Sequence, residues 1–513
     1  MMDPNEGRTR IRAKLANRLP SCLGSETKRE DGHLYVLEAP TMKKSLLLFC
    51  LLLWPITAVG EQPEQEGPPN IVFILADDMG YGDVSCNNPN SRIETPNLDR
   101  LAREGIRFTD AHSGGSSCIP SRYALMTGRF AVRKSLKLAE GSLIDQDRMT
   151  VASLLRDHGY ATAMVGKWHL GFDPFLQNQK KPADYSQPLR GGPVDCGFDS
   201  FFGMHASLDL PPYFYIRDRG PVMPPTNDVQ ANSSTDGPEG WNDIQGAFWR
   251  AGKISPDLQF DQVTPRFAKE AVEVILRHGA AKQDKPLFLY LALPSPHTPW
   301  LPLEAYRGKS GAGMYGDFVL QVDAVVGQLL EALQTAGMDQ DTLVVFSSDN
   351  GPVWYDKDRD RFGHDAVGGL RGMKFASWEG GHRMPFLVRW PGQVPANRVC
   401  DQTVVFSDLL ATMAELVNLQ RIPQGMAEDS ISFLPYLTDP NRQPEKRSPV
   451  VHDRWTVRDG DWKLILPRQR KKATAELYNL KTDLAEQTNL VSQHPDIAQR
   501  LEERLSSFSK TKQ

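Results

Sequence analysis

Four continuous apolar runs, each ended abruptly by polar residues, constrain the fold of this chain more than any other feature. They cover residues 70–76, 161–165, 287–293 and 343–346. Runs of this length that are rich in β-branched residues and do not alternate with polar ones are typical of strands buried on both faces. The pattern therefore predicts a mostly parallel sheet with a layer of structure on each side.

Helical patterns lie between these runs. Thr95 and Thr150 each precede an amphipathic segment that ends at a glycine, Gly105 or Gly159, which predicts two short helices capped by threonine. Residues 318–336 form a longer segment with a valine and leucine stripe. Alternation of strands and helices predicts an α/β fold in which helices sandwich a large, mostly parallel or mixed sheet.

Residues 203–263 depart from this pattern, since they are rich in proline, glycine, asparagine and aromatic residues and show little periodicity. So long a loop in a folded domain is usually functional. Its aromatic side chains either line the rim of a substrate pocket or pack the loop itself. The sequence leaves both interpretations open.

The C-terminal part differs again. After a predicted helix at residues 408–416, short strand-like segments and a polar helix from Pro495 onward indicate a small α+β domain with a short antiparallel sheet. We place a catalytic domain at residues 70–430 and a C-terminal domain at residues 431–513.

Residues 42–60 have the pattern of a secretory signal peptide: a basic start, a short apolar run and a small-residue end. The apolar run is too short to span a membrane. The pattern predicts export to a periplasm or to the outside. We interpret residues 1–41 as an extension ahead of the true start, with a cytosolic head as the alternative, and residues 61–69 as a linker.

Composition excludes some functions. The formal net charge of -4 over 513 residues gives no basic footprint for nucleic acid, and no later stretch reaches the length of a transmembrane helix. Four cysteines follow the signal: Cys86, Cys118, Cys196 and Cys400. If Cys118 is catalytic, at most one disulfide can form, and its pairing stays open.

Polar side chains follow each of the four apolar runs: Asp77 and Asp78, Lys167 and His169, His297, and Asp349 and Asn350. In open α/β sheets, ligands bind beyond the carboxyl ends of the strands. Adjacent carboxylates repel unless a cation neutralises them, and oxygen ligands suit Ca²⁺ or Mg²⁺. A single aspartate here would indicate only a turn or a helix cap. The four strand ends together favour a metal-containing site.

Cys118 opens a predicted helix, because Pro120 fits a first turn and a Ser/Gly-rich stretch precedes it. A helix N-terminus favours anions, and Arg122 can present a planar fork to a tetrahedral oxyanion. We therefore expect a solvent-exposed cysteine of lowered pKa. The alternative is a small buried apolar residue.

The segment Cys118-x-Pro120-Ser121-Arg122, with Gly128-Arg129 behind it, resembles the signature of type I sulfatases. The likeness is to enzymes of the arylsulfatase A and N-acetylgalactosamine-6-sulfatase kind, in the alkaline phosphatase superfamily. Further motifs follow the family's order at residues 69–72, 77–80, 166–171, 296–299, 348–351, 371–381 and 476–480. Together they cover the chain from about Pro69 to Leu490.

This resemblance implies sulfate ester hydrolysis through a formylglycine that a maturation enzyme makes by oxidising Cys118. One oxygen of the hydrated aldehyde attacks sulfur and displaces the alcohol; the other then loses its proton and expels sulfate. The family's pattern also implies that Arg122 holds the diol. A calcium ion, with Mg²⁺ as the alternative, is implied at Asp77, Asp78, the modified Cys118, Asp349 and Asn350.

Further roles carry over by motif position. The resemblance implies that His169 is the base that collapses the sulfated diol, with Lys167 beside it in contact with sulfate. It implies that His297 and Lys374 bind sulfate and assist the leaving oxygen. Ser207 matches a sulfate-binding serine through a looser alignment.

Two other functions remain open at this point: a phosphodiester or phosphonate hydrolase of the same superfamily, and a non-catalytic protein that binds sulfated glycans. Within the sulfatase interpretation, the resemblance does not decide between sulfated carbohydrates and aryl sulfates. Oligomeric state is also open.

Overall fold

The computed structural model describes residues 67–510, apart from residues 174–182, 236–239, 243, 283 and 469–473. The predicted extension, the signal peptide and most of the linker lie outside the described residues and stay predictions. Among the described helices, none is both long and apolar enough to cross a membrane.

In the described residues, the strands in chain order are β1 (Asn70–Asp77), β2 (Ile106–Phe108), β3 (Ala111–His112), β4 (Ala161–Lys167), β5 (Ser200–Met204), β6 (Ile216–Arg217), β7 (Gly220–Pro221), β8 (Asn227–Val229), β9 (Gly252–Ile254), β10 (Leu287–Pro296), β11 (Thr342–Ser348), β12 (Phe386–Arg389), β13 (Arg398–Cys400), β14 (Val404–Val405), β15 (Val450–Asp453), β16 (Thr456–Asp459), β17 (Trp462–Ile465) and β18 (Glu476–Asn479). The α-helices are α1 (Pro96–Arg103), α2 (Cys118–Thr127), α3 (Val151–Asp157), α4 (Val263–Ala281), α5 (Gly313–Thr335), α6 (Asp356–Phe362), α7 (Asp408–Leu416), α8 (Leu434–Thr438) and α9 (Pro495–Lys510).

The four apolar runs form the centre of a ten-stranded sheet of order β13-β2-β12-β11-β1-β10-β4-β5-β6-β7. β11, β1, β10, β4 and β5 run parallel to one another. β12 is antiparallel to both of its neighbours, and the β6 and β7 edge is antiparallel too. The prediction of a large, mostly parallel or mixed sheet is confirmed.

Both faces of this sheet are buried, as the lack of polar alternation predicted. In β1, Phe73 faces one hydrophobic core together with side chains of α2, α3 and α7. Its neighbour Ile74 faces a second core together with side chains of α1, α4 and α5. Because successive side chains of a strand point to opposite faces, the two cores lie on opposite sides of the sheet. The sheet is thus sandwiched by helices.

One of the two predicted threonine caps makes a capping hydrogen bond. Thr150 accepts a hydrogen bond from the Ser153 backbone amide at 3.0 Å. Thr95 occupies the N-cap position of α1, as predicted, but it makes no side-chain capping hydrogen bond, because its hydroxyl is engaged by the Ser85 amide and hydroxyl instead. The carboxylate of Asp323, on α5, accepts from the free amides of α1. A carboxylate at a helix N-terminus also interacts favourably with the helix dipole.

The aromatic side chains in residues 203–263 mostly pack the loop rather than line a rim. Tyr213, Phe214, Tyr215 and Trp241 are all buried. Trp241, for example, lies against Trp300 with the ring centroids 4.9 Å apart. Of the two interpretations left open by the sequence, internal packing holds for these four residues.

The C-terminal part contains the predicted antiparallel sheet, of order β15-β16-β17-β18. Leu501 and Leu505 of α9 pack on it together with Val457, Leu464 and Leu477. Leu437 of α8 belongs to the core of the large sheet. The domain boundary at residue 430 stays a prediction.

A buried ionic cluster joins this C-terminal sheet to the loop that precedes β12. Lys463 of β17 donates to Glu379 at 2.9 Å, and its Nζ lies 2.8 Å from Glu486 Oε1. A third contact of 3.1 Å runs from Lys463 to Nε2 of His382. All four side chains are buried. The three N–H groups of the ammonium are therefore all used.

Three buried histidines, His112, His382 and His452, extend this cluster and lie close enough to one another to suggest a metal site. Hydrogen bonds satisfy part of this group, whereas Nε2 of His452 is buried and has no hydrogen-bond partner among the described residues. Nδ1 of His382 lies 3.0 Å from His112 Nδ1, and its Nε2 lies 3.2 Å from the Ser377 carbonyl as well as near Lys463. Nε2 of His112 lies 2.8 Å from Asp110 Oδ1 and 3.0 Å from Arg458 Nη1. His452 stacks on His382 with the centroids 3.7 Å apart.

Burial lowers the pKa of all three imidazoles below the usual 6.5, so these side chains are neutral in the folded protein. Below pH 6.5 the unfolded chain binds protons that the folded chain does not. The stability that these groups give is therefore present above pH 6.5 and lost as the pH falls. We expect His452→Asn to reduce the acid-induced loss by about 1.4 kcal/mol per pH unit below 6.5.

Denaturant unfolding of wild type and His452→Asn between about pH 5 and pH 7.5 measures this difference. Asparagine can still donate to the Ser113 carbonyl that the His452 Nδ1 contacts. The matched control is His158→Asn, at an exposed histidine of α3's C-terminal end. Parallel stability profiles for His452→Asn and wild type would contradict the prediction.

Candidate active site

The predicted site residues converge because the strands that carry them are neighbours. β11, β1, β10 and β4 lie side by side and run in the same direction. Asp77 ends β1, Asp349 follows β11, His297 follows β10 and Lys167 ends β4. The carboxyl edge of the sheet thus gathers residues that are far apart in the chain.

Three carboxylates and one amide form the floor of this site. Asp77, Asp78, Asp349 and Asn350 are all buried. The Asp78 amide donates to Asp349 Oδ1 at 3.2 Å, and Asn350 Nδ2 donates to Asp78 Oδ1 at 2.7 Å. Asn350 Oδ1 is buried and has no hydrogen-bond partner. An unpartnered amide oxygen among carboxylates fits a hard divalent cation such as Ca²⁺.

Each carboxylate also faces a basic side chain. Lys167 contacts Asp77, and Lys374 lies 2.6 Å from Asp78. Arg122 binds Asp349 through Nε at 2.9 Å and through its second terminal nitrogen at 2.8 Å. Burial alone would raise the pKa of Asp77, but the nearby cations, Lys167 first, hold it below its usual value. The carboxylate of Asp77 is therefore ionised.

Cys118 is the first residue of α2, as predicted, and lies among these charges. Its Sγ is 3.4 Å from Asp77 Oδ1, 3.3 Å from Lys167 Nζ and 3.7 Å from Lys374 Nζ. The expectation of an exposed thiol of lowered pKa was wrong. The side chain is only 5 % exposed, and burial, with Asp349 and Asp77, raises its pKa. Desolvation and two carboxylates outweigh the helix dipole.

Two histidines lie on the same side of the sheet edge. His169 is buried, has a left-handed backbone (φ 58°), and its Nδ1 is 3.4 Å from the Ser207 hydroxyl. Burial, together with the charge of Lys167, lowers its pKa well below 6.5, so it is a neutral acceptor. Nε2 of His297 is 3.6 Å from Asp78 Oδ2. His169 and Ser207 thus contact each other, and the charges of Lys167 and Arg122 act on His169.

Sequence reasoning missed the side chains that hold the loop after β1. Asp83 accepts from the Gly80 amide at 2.6 Å and from the Tyr315 hydroxyl. His364 lies 2.8 Å from Asp83, and Tyr315 also reaches the Asp78 carbonyl at 3.2 Å. All three side chains are buried. The proximity of Asp83 to the aspartate pair was a possible signal, whereas nothing in the sequence connects Tyr315 to it.

Comparisons with known proteins agree with this geometry. The Sulfatase family model matches residues 69–419, and the model described as N-sulphoglucosamine sulphohydrolase, C-terminal, matches residues 373–511. An N-acetylgalactosamine-6-O-sulfatase of Bacteroides thetaiotaomicron is 31 % identical over 489 residues, which cover 86 % of this chain and 93 % of the relative. Human arylsulfatase A is 34 % identical over 399 residues, covering 74 % and 69 %.

A solved structure is also similar to this chain. It comes from work on the metabolism of multiple glycosaminoglycans by Bacteroides thetaiotaomicron and is 28 % identical to this chain. The superposition covers 86 % of this chain and 99 % of the other, with a TM-score of 0.75.

If the carboxylate floor holds a divalent cation, adding Ca²⁺ should stabilise the folded protein. At a hundred-fold excess over the dissociation constant, the gain should be about 2.7 kcal/mol. Asp78→Asn should remove most of this gain, because it deletes a charged ligand. Thermal unfolding of chelator-treated protein, with and without Ca²⁺, measures the difference.

Asp356→Asn is the matched control, since the carboxylate of Asp356 is largely exposed on α6. Its response to Ca²⁺ should equal that of wild type. If neither Ca²⁺ nor Mg²⁺ changes the unfolding temperature of wild type, these residues do not form a cation site.

Proposed function

The chain belongs to the sulfatase family and is a sulfuric ester hydrolase; from this premise we propose that its nucleophile is a formylglycine made from Cys118. The observation that carries the proposal is the position of Cys118. It lies at a helix N-terminus between the ammonium groups of Lys167 and Lys374, beside a floor of oxygen ligands. The motif Cys118-x-Pro120-x-Arg122 would be read by the maturation enzyme.

The raised pKa of the Cys118 thiol supports an oxygen nucleophile rather than a sulfur one. A buried thiol that stays protonated is a poor nucleophile. The hydrated aldehyde offers two hydroxyl groups at the same carbon: one to attack sulfur and one to expel sulfate afterwards. A serine side chain has only one hydroxyl and could not complete the second step.

The basic side chains around Cys118 are suited to hold the sulfate group. Lys167 contacts both Asp77 and Cys118 Sγ. Lys374 contacts both Asp78 and Cys118 Sγ. Arg122 is fixed by Asp349 and by the Lys167 carbonyl, to which it donates at 2.8 Å. A Ca²⁺ ion held by the carboxylate floor would polarise the nucleophile and the sulfate oxygens.

His169 and His297 are suited to different proton transfers. His169 is neutral, because burial lowers its pKa, so it can take the proton from the second hydroxyl as sulfate leaves. Nδ1 of His297 lies 2.6 Å from the Thr298 carbonyl and therefore carries a proton. Its Nε2 is left to contact the leaving oxygen when the imidazole is protonated. Ser207, beside His169, would add a hydrogen bond to sulfate.

We further propose that the substrate is a sulfated carbohydrate, of the 6-sulfated N-acetylhexosamine type. The support is the 31 % identity, over 86 % of the chain, to an N-acetylgalactosamine-6-O-sulfatase. Aryl sulfates would serve as alternative substrates, in line with the identity to arylsulfatase A. The signal-like residues 42–60 would export the enzyme to a periplasm or out of the cell.

Mass spectrometry of protein purified from its own host tests the nucleophile. Trypsin should release the peptide from Phe108 to Arg122. We expect it to have lost sulfur and two hydrogens and gained one oxygen, and we expect Cys118→Ala to be inactive on all sulfate esters. An unmodified thiol in a fully active enzyme would refute the formylglycine proposal.

The proposed role of His169 predicts a split between the two chemical steps. In His169→Ala, attack on an aryl sulfate should still release one equivalent of phenol in a burst. Steady turnover should fall about 10²–10⁴-fold, because the base for sulfate release is gone. Stopped-flow absorbance measures both phases. His158→Asn, far from the site on α3, should keep wild-type turnover, and a His169→Ala variant that loses the burst as well would contradict this role.

A further inference from the structure

Phe375 is unusual in two respects. Its side chain is 52 % exposed, and it is the only aromatic residue among the exposed large hydrophobic residues in the described part of the chain. Its backbone has a φ of 70°, a left-handed conformation that is costly for a bulky residue. Strain of this kind persists only where the surrounding structure imposes it, and it clusters at functional sites.

Backbone contacts impose this conformation. The Phe375 amide donates to the Ser116 carbonyl at 2.7 Å, and Arg468 donates to the Phe375 carbonyl at 3.0 Å. Ser116 lies two residues before Cys118, and Arg468 follows the C-terminal strand β17. The backbone is thus fixed on both sides while the ring is left in solvent. This is the reverse of ordinary packing, in which an aromatic ring is buried.

The ring lies beside the groups that would hold sulfate. Lys374 Nζ is 5.3 Å from the centroid of the Phe375 ring and 3.7 Å from Cys118 Sγ. A sulfate ester bound at Cys118 would therefore carry its alcohol group within reach of the ring. The aromatic residues of the loop 203–263 that the sequence offered for this purpose are mostly buried.

We propose that Phe375 is a binding platform for the apolar face of the pyranose ring that carries the sulfate ester. This deepens the proposed function and rests on it. The polarised C–H groups of a sugar face are attracted to the electron-rich face of an aromatic ring. A ring that is open on one side suits a sugar bound within a larger saccharide. The neighbouring charges of Lys374 and Arg468 make a hydrophobic protein interface an unsuitable alternative.

Steady-state kinetics on N-acetylgalactosamine 6-sulfate test the platform. Phe375→Ala should raise KM about ten-fold, the effect of one lost aromatic contact, while kcat stays within about two-fold. Phe375→Trp should keep a KM close to that of wild type, because it retains a flat ring. Val399→Ala, at an exposed aliphatic residue of β13, is the matched control and should change neither constant.

Two further measurements separate this role from a structural one. Inorganic sulfate has no sugar ring, so its inhibition constant should be the same in Phe375→Ala and wild type. Phe375→Gly should unfold at the wild-type temperature or above it, because glycine adopts a positive φ without strain. A sulfate inhibition constant that rises with KM would mean that Phe375 acts through Lys374, and the platform would be refuted.

A binding assay distinguishes failure of the platform from failure of the proposed chemistry. Calorimetry of N-acetylgalactosamine 6-sulfate with Cys118→Ala protein needs no turnover. We expect binding that weakens about ten-fold when Phe375→Ala is added. Equal affinity with and without the ring, or no binding of the sugar sulfate at all, would overturn the platform even in an active sulfatase. An inactive wild type that showed the expected ring dependence would instead refute the proposed function alone.

Discussion

Mutual neutralisation of buried charge at the carboxyl edge of the sheet is the interaction on which this structure depends. Asp77, Asp78 and Asp349 are buried next to one another and face Lys167, Lys374 and Arg122. Removing one member of such a buried pair typically costs about 3–5 kcal/mol, because its partner is left uncompensated. A bound cation and a sulfate ester would enter a site whose charges are already balanced. The same groups therefore serve folding and the proposed binding of both.

How much of the fold and the site could be predicted depends on whether a feature is set by residues close in the sequence or by contacts between distant ones. Apolar runs predicted the central strands and their burial on both faces, because a strand buried on both faces requires apolar side chains at consecutive positions. The motifs placed the site residues at the strand ends. Exposure of Cys118 could not be predicted, since it depends on the carboxylates and on Lys374, which lies 256 positions away. The capping hydrogen bond of α1 could not be predicted for the same reason, because Asp323, on another helix, accepts from the α1 amides in place of the Thr95 side chain.

The support of the aspartate pair shows the same limit. Tyr315 reaches the Asp78 carbonyl from a helix that begins 235 residues later, counted from Asp78 to Gly313. Only the packing of α5 on the sheet brings it there. The residues proposed to react lie in recognisable family motifs. The residues that position them reach the site only through the tertiary packing of distant elements. A sequence therefore reveals the first group more readily than the second.

The loop that carries Lys374 and Phe375 is where the two parts of the chain meet. Lys463 of β17 fixes the loop through Glu379, and Arg468 fixes it at Phe375. Lys374 faces inward to Asp78, whereas Phe375 faces solvent. In the proposed function these adjacent residues would have different roles: Lys374 would contact the sulfate group common to all substrates, and Phe375 would contact the alcohol that differs among them. Because the loop is held from the C-terminal sheet, its outer residue can change the accepted alcohol while the charge balance beneath it is kept.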